Sequence, residues 1–181
     1  MVVLAGALAL ATAACGASLP TTSEAASAET AATVCGLLRR WDNELADAMN
    51  ATSRTITDAD DPATANGELL DGYDAAVEIA EAHVEEADDL ALPDVPERER
   101  LADELRAGAE DAVESLRAER ETAADLPPID VAGQAGAVGG AMLAIEHAQS
   151  AVEPSIFDYD DEQLRRAFAD EEGCEFVIQP F

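Results

Sequence analysis

Five acidic side chains recur three or four residues apart along one predicted helix, and together they could attract cations. They are Asp74, Glu78, Glu81, Glu85 and Asp88. Residues at this spacing share a helix face, where each like-charged pair costs roughly 0.2–0.5 kcal/mol. A bound divalent cation, or water and salt alone, would offset that repulsion. Because Ca²⁺ takes about six to eight oxygens from several directions, we expect either a solvated face or weak divalent-cation binding with help from residues 58–61 or 158–162.

The two histidines of the chain, His83 and His147, lie beside apolar stripes of predicted helices. A di-iron bundle needs Glu-x-x-His pairs, but Ala80 and Ala144 occupy the glutamate positions. We therefore expect both histidines to be partly buried structural residues. The sequence also lacks the G-x-S-x-G and H-E-x-x-H motifs of hydrolases and metalloproteases. These observations predict a protein without enzymatic activity, cofactor or dedicated metal site.

Residues 131–145 form the longest charge-free stretch after the N-terminal region. Gly136 and Gly140 give it a G-x-x-x-G spacing, which lets two helices approach closely. Two interpretations remain open: a buried central helix packed by small residues, or an exposed docking face for another protein. A membrane-embedded hairpin is disfavoured because the stretch is shorter than the roughly 20 residues of a membrane span and contains Gln134.

The charge balance is strongly acidic, with 39 Asp and Glu against 10 basic residues and a formal net charge of −29. Nucleic acids and anionic lipid surfaces both require basic proteins, so this composition excludes both as electrostatic partners. Two explanations of the acidity remain: solvation, as in salt-adapted proteins, or attraction of cations or a basic partner.

Apolar residues recur at helical spacing in four long segments and one short one. The segments cover about 34–49, 70–87, 97–124, 131–152 and 160–170, and a turn-rich stretch at 52–67 separates the first two. Four long helices with short connections fold most simply as an antiparallel bundle. The sequence therefore predicts an all-α protein: an antiparallel bundle of about four long helices plus a short C-terminal helix.

A short apolar run over residues 2–11 precedes Thr12-Ala13-Ala14-Cys15. This pattern resembles the signal peptide and lipobox of bacterial exported lipoproteins, and the resemblance covers residues 1–18 only. It implies a signal peptide over 1–14, lipidation of Cys15 and a protein anchored by its lipid at the outer face of the cytoplasmic membrane. The alternative is ordinary cleavage after Ala13 or Ala14, which would release a soluble secreted protein.

The remaining cysteines, Cys35 and Cys174, form an even pair once Cys15 carries lipid. An exported protein occupies an oxidising compartment, where disulfides persist. In an up-down-up-down bundle the fourth helix ends beside the start of the first. We therefore predict a Cys35–Cys174 disulfide that clasps the bundle.

The predicted organisation is a signal peptide (1–14), a lipidated cysteine with a disordered tether (15–33) and an acidic helical domain (34–181). The tether is predicted from a segment rich in Ser, Thr and Ala without apolar periodicity. These features favour a non-catalytic, membrane-tethered lipoprotein with a binding or scaffolding role in the cell envelope, where an envelope protein is a possible partner. The alternative function is an envelope protein that binds divalent cations through its acidic helix faces.

Overall fold

Five α-helices dominate the described part of the chain, which is residues 21–150 and 158–174 of a computed structural model. They are α1 (Thr22–Asp58), α2 (Pro62–Asp88), α3 (Arg98–Ala124), α4 (Val131–Ser150) and α5 (Glu162–Asp170), followed by a 3₁₀ turn at Glu172–Cys174. No strand occurs among these residues. The prediction of an all-α fold with four long helices and a short C-terminal helix is confirmed.

The four long helices form an antiparallel bundle in which each helix packs mainly on its two neighbours. α1 and α3 both contact α2 and α4, while α5 lies against α1. The 3₁₀ turn also contacts α1, where Cys35 and Cys174 form a disulfide with a Cα–Cα distance of 5.2 Å. Both cysteines are fully buried. The predicted clasp between the first helix and the C-terminal region is confirmed.

The core divides into two clusters along the bundle. The disulfide-end core surrounds Cys35 and includes Trp41, Leu101, Leu105 and Phe168. The turn-end core lies toward the α1–α2 and α3–α4 turns and contains mainly Leu45, Met49, Leu69, Tyr73, Leu116 and Ile145. Val84 of α2 packs against both clusters, so it marks their junction.

α1 begins at Thr22, so the prediction of a disordered tether over residues 15–33 is wrong for residues 22–33. A capping box starts the helix: Thr21 accepts from the Glu24 backbone N–H, and the Glu24 carboxylate accepts from the Thr21 N–H at 2.7 Å. α5 packs on this part of α1, where Ser23 Oγ lies 2.7 Å from Gln163 Oε1. Long-range packing, invisible in the local sequence, therefore extends the domain toward the N-terminus.

The turn predicted over residues 52–67 is much shorter, because α1 continues to Asp58 and α2 begins at Pro62. The hydroxyls of Thr52, Thr55 and Thr57 donate to carbonyl oxygens four residues earlier, which satisfies these side chains within the helix. The Asp61 carboxylate then caps α2 by accepting from two backbone N–H groups, with Pro62 at the first helical position.

The segment before α5 is fixed onto α3 by polar contacts. Tyr159 is buried, and its hydroxyl donates to Glu104 Oε2 at 2.6 Å. The Arg100 guanidinium lies over the Tyr159 ring, 4.9 Å from its centroid. Nearby, the Asp160 backbone N–H donates to Glu97 Oε1 at 2.7 Å. These contacts hold the entrance to α5 independently of the disulfide at its far end.

Candidate functional site

Three of the five carboxylates of the predicted acidic stripe are paired with arginines of α3. The pairs, in order along α2, are Asp74–Arg120, Glu81–Arg117 and Asp88–Arg106. Acids seven residues apart lie in one line on α2, and the antiparallel α3 presents its arginines in reverse order. Hydrogen bonding by Arg120 lowers the pKa of the Asp74 carboxyl. Arginines of α3 therefore offset much of the like-charge repulsion on α2. Predicting these ion pairs would require knowledge of how the two helices are aligned.

The other two members of the stripe, Glu78 and Glu85, are exposed. Neither forms an ion pair with another described residue. Within residues 21–150 and 158–174, no group of three or more His, Cys, Asp or Glu side chains is arranged to hold a metal ion. Divalent-cation binding at the stripe therefore stays a prediction, with three of its five carboxylates already paired.

A groove of about 680 Å³ lies between α2 and α3, and Glu81 of the acidic stripe is among its lining residues. Val84 and Val113 line it with apolar surface, and Glu81, Glu114 and Glu121 are among its acidic residues. The volume is within the range of about 300–1,000 Å³ that is common for ligand sites. The groove combines apolar and charged lining within one concave surface.

A second cluster of chemically capable residues lies between α1 and α2, around the single tryptophan of the chain. The rings of Trp41 and His83 are stacked, with centroids 4.9 Å apart and planes inclined by 11°. Trp41 Nε1–H donates to Glu86 Oε2 at 2.8 Å, and His83 Nε2 lies 2.8 Å from Glu44 Oε2. Since a carboxylate only accepts, Nε2 carries the proton. Arg40 completes the cluster by pairing with Glu86.

Burial and hydrogen bonding shift two pKa values in this cluster. Burial lowers the pKa of His83, and the opposing hydrogen bond to Glu44 does not cancel that effect. For Glu86, burial acts to raise the pKa, but the hydrogen bonds from Trp41 and Arg40 outweigh it, so the carboxyl pKa is lowered. His83 is therefore a neutral, buried partner of both Trp41 and Glu44, in agreement with the structural role predicted for it.

We expect His83 to make the bundle less stable as the pH falls below about 6.5, the ordinary histidine value. Below that pH the unfolded chain binds a proton that the folded chain excludes, so acid favours unfolding. The free energy of unfolding should fall by at most about 1.4 kcal/mol per pH unit from this one group. Denaturant titrations between pH 7 and about 5 would measure the slope.

His83→Gln is the control for this slope, because glutamine keeps a donor for Glu44 but does not titrate in this range. The difference between the two slopes gives the contribution of His83 to the pH dependence of the free energy of unfolding. The carboxylates titrate mostly at lower pH. Trp41 fluorescence follows the unfolding, since Trp41 is the single tryptophan of the chain and is buried in the folded bundle. Equal slopes in the wild type and His83→Gln would contradict the assignment.

Between residues 132 and 143, α4 presents a charge-free face to solvent. Gly136 and Gly139 are exposed, and nothing lies within 4 Å of the position that a Cβ would occupy at either residue. Leu143 of the same helix is 58% exposed, and Ile129, just before the start of α4, is 82% exposed. Each of the two interpretations of the 131–145 stretch therefore describes one face: α4 buries one side of the helix and exposes the other.

The inward face of α4 is held by polar contacts that the sequence did not reveal. Tyr73 of α2 donates its hydroxyl to the Ala137 carbonyl at 2.6 Å, and burial, with a smaller effect of Glu119, raises its pKa to about 12. Gln134 is fully buried and its Nε2 donates to the Pro128 carbonyl at 3.0 Å. Both contacts bind a side chain to a backbone carbonyl, and such pairs leave no sequence pattern.

The two glycines of the predicted G-x-x-x-G pair have different surroundings. A Cβ at Gly140 would lie 2.7 Å from Glu119 Oε2 of α3, whereas Gly136 faces open space. Of these two glycines, only Gly140 lies against a neighbouring helix, through the Glu119 carboxylate. None of the described helices is long and apolar enough to cross a membrane.

Several predicted residues lie outside the described part of the chain. Cys15 and the signal peptide precede it, and the last residues of the predicted helical domain, 175–181, follow it. His147 belongs to α4, but its side chain is also outside the description. The structure therefore leaves the lipidation site and the role of this histidine as predictions.

Comparison of the chain with protein-family models finds no matching family. Searches against characterised proteins and against solved structures find no significant match either.

Proposed function

We propose that the chain is a non-catalytic lipoprotein, anchored at the outer face of the cytoplasmic membrane, that binds or scaffolds an envelope protein through the outward face of α4. The observation that carries this proposal is the exposed, uncharged face of α4 between residues 132 and 143, on a molecule with a net charge of −29. A partner can approach this face without desolvating charges, which is the main cost of covering an acidic surface. Exposed apolar patches of this kind commonly mark protein interaction sites.

The start of α1 limits how far the bundle can stand from a lipid at Cys15. Thr22 is seven residues beyond Cys15, and seven residues reach at most about 25 Å. The proposed anchor would therefore hold the disulfide end of the bundle near the membrane surface, closer than the predicted tether of residues 15–33 implies. A lipid-anchored protein with such a short reach is suited to a partner that is itself at the membrane.

The proposal predicts that Cys15→Ala moves the protein from the membrane fraction to the soluble fraction. It also predicts that a photo-crosslinker at Gly139 captures a discrete protein in intact cells, and that Leu143→Asp reduces the yield. Ala91→Asp adds the same charge at an exposed position outside α4 and is the matched control. Membrane retention of Cys15→Ala would contradict the anchor, and equal crosslinking in Leu143→Asp and Ala91→Asp would contradict the docking face.

Divalent-cation binding has weaker support as the alternative function. It requires carboxylates that are free to coordinate, and Asp74, Glu81 and Asp88 already have arginine partners. A specific ion would raise the unfolding midpoint at low concentration and then saturate. Comparison of CaCl₂ with NaCl at matched ionic strength separates such binding from general screening.

A further inference from the structure

We propose that the groove between α2 and α3 binds a basic amphipathic peptide segment, which places an apolar side chain on the groove floor and arginine or lysine side chains against the walls. This surface is distinct from the outward face of α4, so either proposal can be disproved without affecting the other.

The floor of the groove offers apolar surface at the junction of the two cores. Val84 is only partly buried and packs against both core clusters, and Val113 is 7% exposed. Ala118, which also lines the groove, is exposed, and its small side chain leaves room above the floor. An apolar side chain of a ligand placed here would remove this surface from water, which is favourable at about 25 cal/mol per Å².

The walls carry four carboxylates and one guanidinium: Glu81, Glu110, Glu114, Glu121 and Arg117. Glu81 is paired with Arg117 across the groove, and Glu110 with an arginine one turn earlier on α3. Glu114 and Glu121 are exposed and form no ion pair with another described residue. Neither carboxylate forms an ion pair with an arginine, although Glu121 interacts electrostatically with Arg120. A cationic ligand in the groove would form ion pairs with both.

The length of the groove favours an extended ligand over a single ion. Glu110 and Glu121 are three turns apart on α3, which corresponds to about 16 Å along the helix. A metal ion needs ligands that converge on one point, whereas a peptide distributes its cationic side chains along the groove. The apolar floor further favours a peptide over a small polyamine, which has no bulky apolar group to place against Val84. Recognition of this kind resembles the seating of an amphipathic helix in a groove.

The test uses the full-length chain and a short synthetic helical peptide in which a leucine stripe is flanked on both sides by arginine. A second peptide has the same composition in an order that disperses the leucines and arginines around the helix, and spermine serves as a small polycation without apolar groups. Binding is measured by isothermal titration at low and at physiological salt. We expect saturable binding of the amphipathic peptide at least about tenfold tighter than that of either comparison ligand.

Two pairs of variants locate the binding. Glu114→Gln combined with Glu121→Gln should weaken peptide binding about tenfold, whereas Glu29→Gln combined with Asp47→Asn removes the same charge from exposed positions of α1 and should change it less than about twofold. Ala118→Leu fills the groove and should weaken binding, while Ala107→Leu makes the same change at an exposed position of α3 outside the lining.

Each remaining outcome overturns the proposal. Equal affinity for the two peptides would show that only diffuse charge attracts them, as would equal weakening by the α2–α3 and α1 charge variants. Tighter binding of spermine would identify a small polycation instead of a peptide. Unchanged affinity in Ala118→Leu would place the peptide elsewhere. Leu143→Asp, which tests the α4 face, should leave peptide binding unaltered, so failure of either proposal is recognised independently.

Discussion

Replacing Cys35 and Cys174 together by alanine should lower the free energy of unfolding by about 3–4 kcal/mol. The disulfide joins residues 139 positions apart, so it restricts nearly the whole domain in the unfolded state. Chain-entropy models give about 5 kcal/mol for a loop of this length, and measured values are usually somewhat smaller. For a domain of this size the corresponding loss in the unfolding midpoint is about 10 °C. Calorimetry or denaturant unfolding of the double variant measures it.

Cys15→Ala is the matched control for the disulfide variant, since it removes a cysteine without opening the bridge. The region most affected should be the 3₁₀ turn at Glu172–Cys174, because Tyr159 and Asp160 still fix the entrance to α5 on α3. Hydrogen exchange should therefore report faster opening after α5 than before it. A double variant within about 1 kcal/mol of wild type would show that packing alone closes the bundle.

The fold was largely predictable because its apolar stripes are long and regular. Leu101, Leu105 and Leu116 recur at helical spacing and are all fully buried on α3. The disulfide followed from the bundle topology together with the count of cysteines. The errors lie at helix ends, where local composition misleads: residues 22–33 and 52–58 look like linker or turn, yet both belong to α1.

Those errors have physical causes that a local pattern does not contain. The hydroxyls of Thr30 and Thr52 donate hydrogen bonds to backbone carbonyls of the same helix. These polar side chains therefore keep a hydrogen-bond partner when the segment is helical. Packing of α5 on the first turns of α1 requires knowledge of the tertiary contact. Helix propensity and hydrophobic period are thus outweighed here by capping and long-range burial.

The candidate sites were less predictable than the fold, because each depends on the register between helices. The acidic stripe was visible on α2, but its pairing with Arg106, Arg117 and Arg120 depends on how α3 lies beside it. The same register brings Glu114 and Glu121 to the groove. The carboxylates of α2, which taken alone would attract an external cation, are thus partly neutralised by arginines of the neighbouring helix.

The close contact between α1 and α2 leads to the second large expected effect. Gly72 lies opposite Thr52, and a Cβ at Gly72 would lie 2.1 Å from Thr52 Oγ1, 2.3 Å from Cγ2 and 2.7 Å from Cβ. Rotation of the threonine side chain cannot relieve all three contacts, because one of them involves its own Cβ. Alanine at this position therefore forces the two helices apart, and glycine is required by the packing and not by the backbone conformation.

Gly72→Ala should lower the free energy of unfolding by about 2 kcal/mol, since overpacking costs roughly 1–3 kcal/mol or more and the helix propensity of alanine returns only about 1 kcal/mol. Gly67→Ala is the matched control, because the same helix has open space at Gly67 and the variant should gain about 0.5–1 kcal/mol. Denaturant unfolding of both variants gives the comparison.

Combining Gly72→Ala with Thr52→Gly removes the opposing Cβ and should restore part of the loss, so a double-mutant cycle should show a coupling above about 1 kcal/mol. If Gly72→Ala proved as stable as Gly67→Ala, α1 and α2 would have to lie farther apart than the structure places them, and the Trp41–His83 stack between the same helices would lose its basis too.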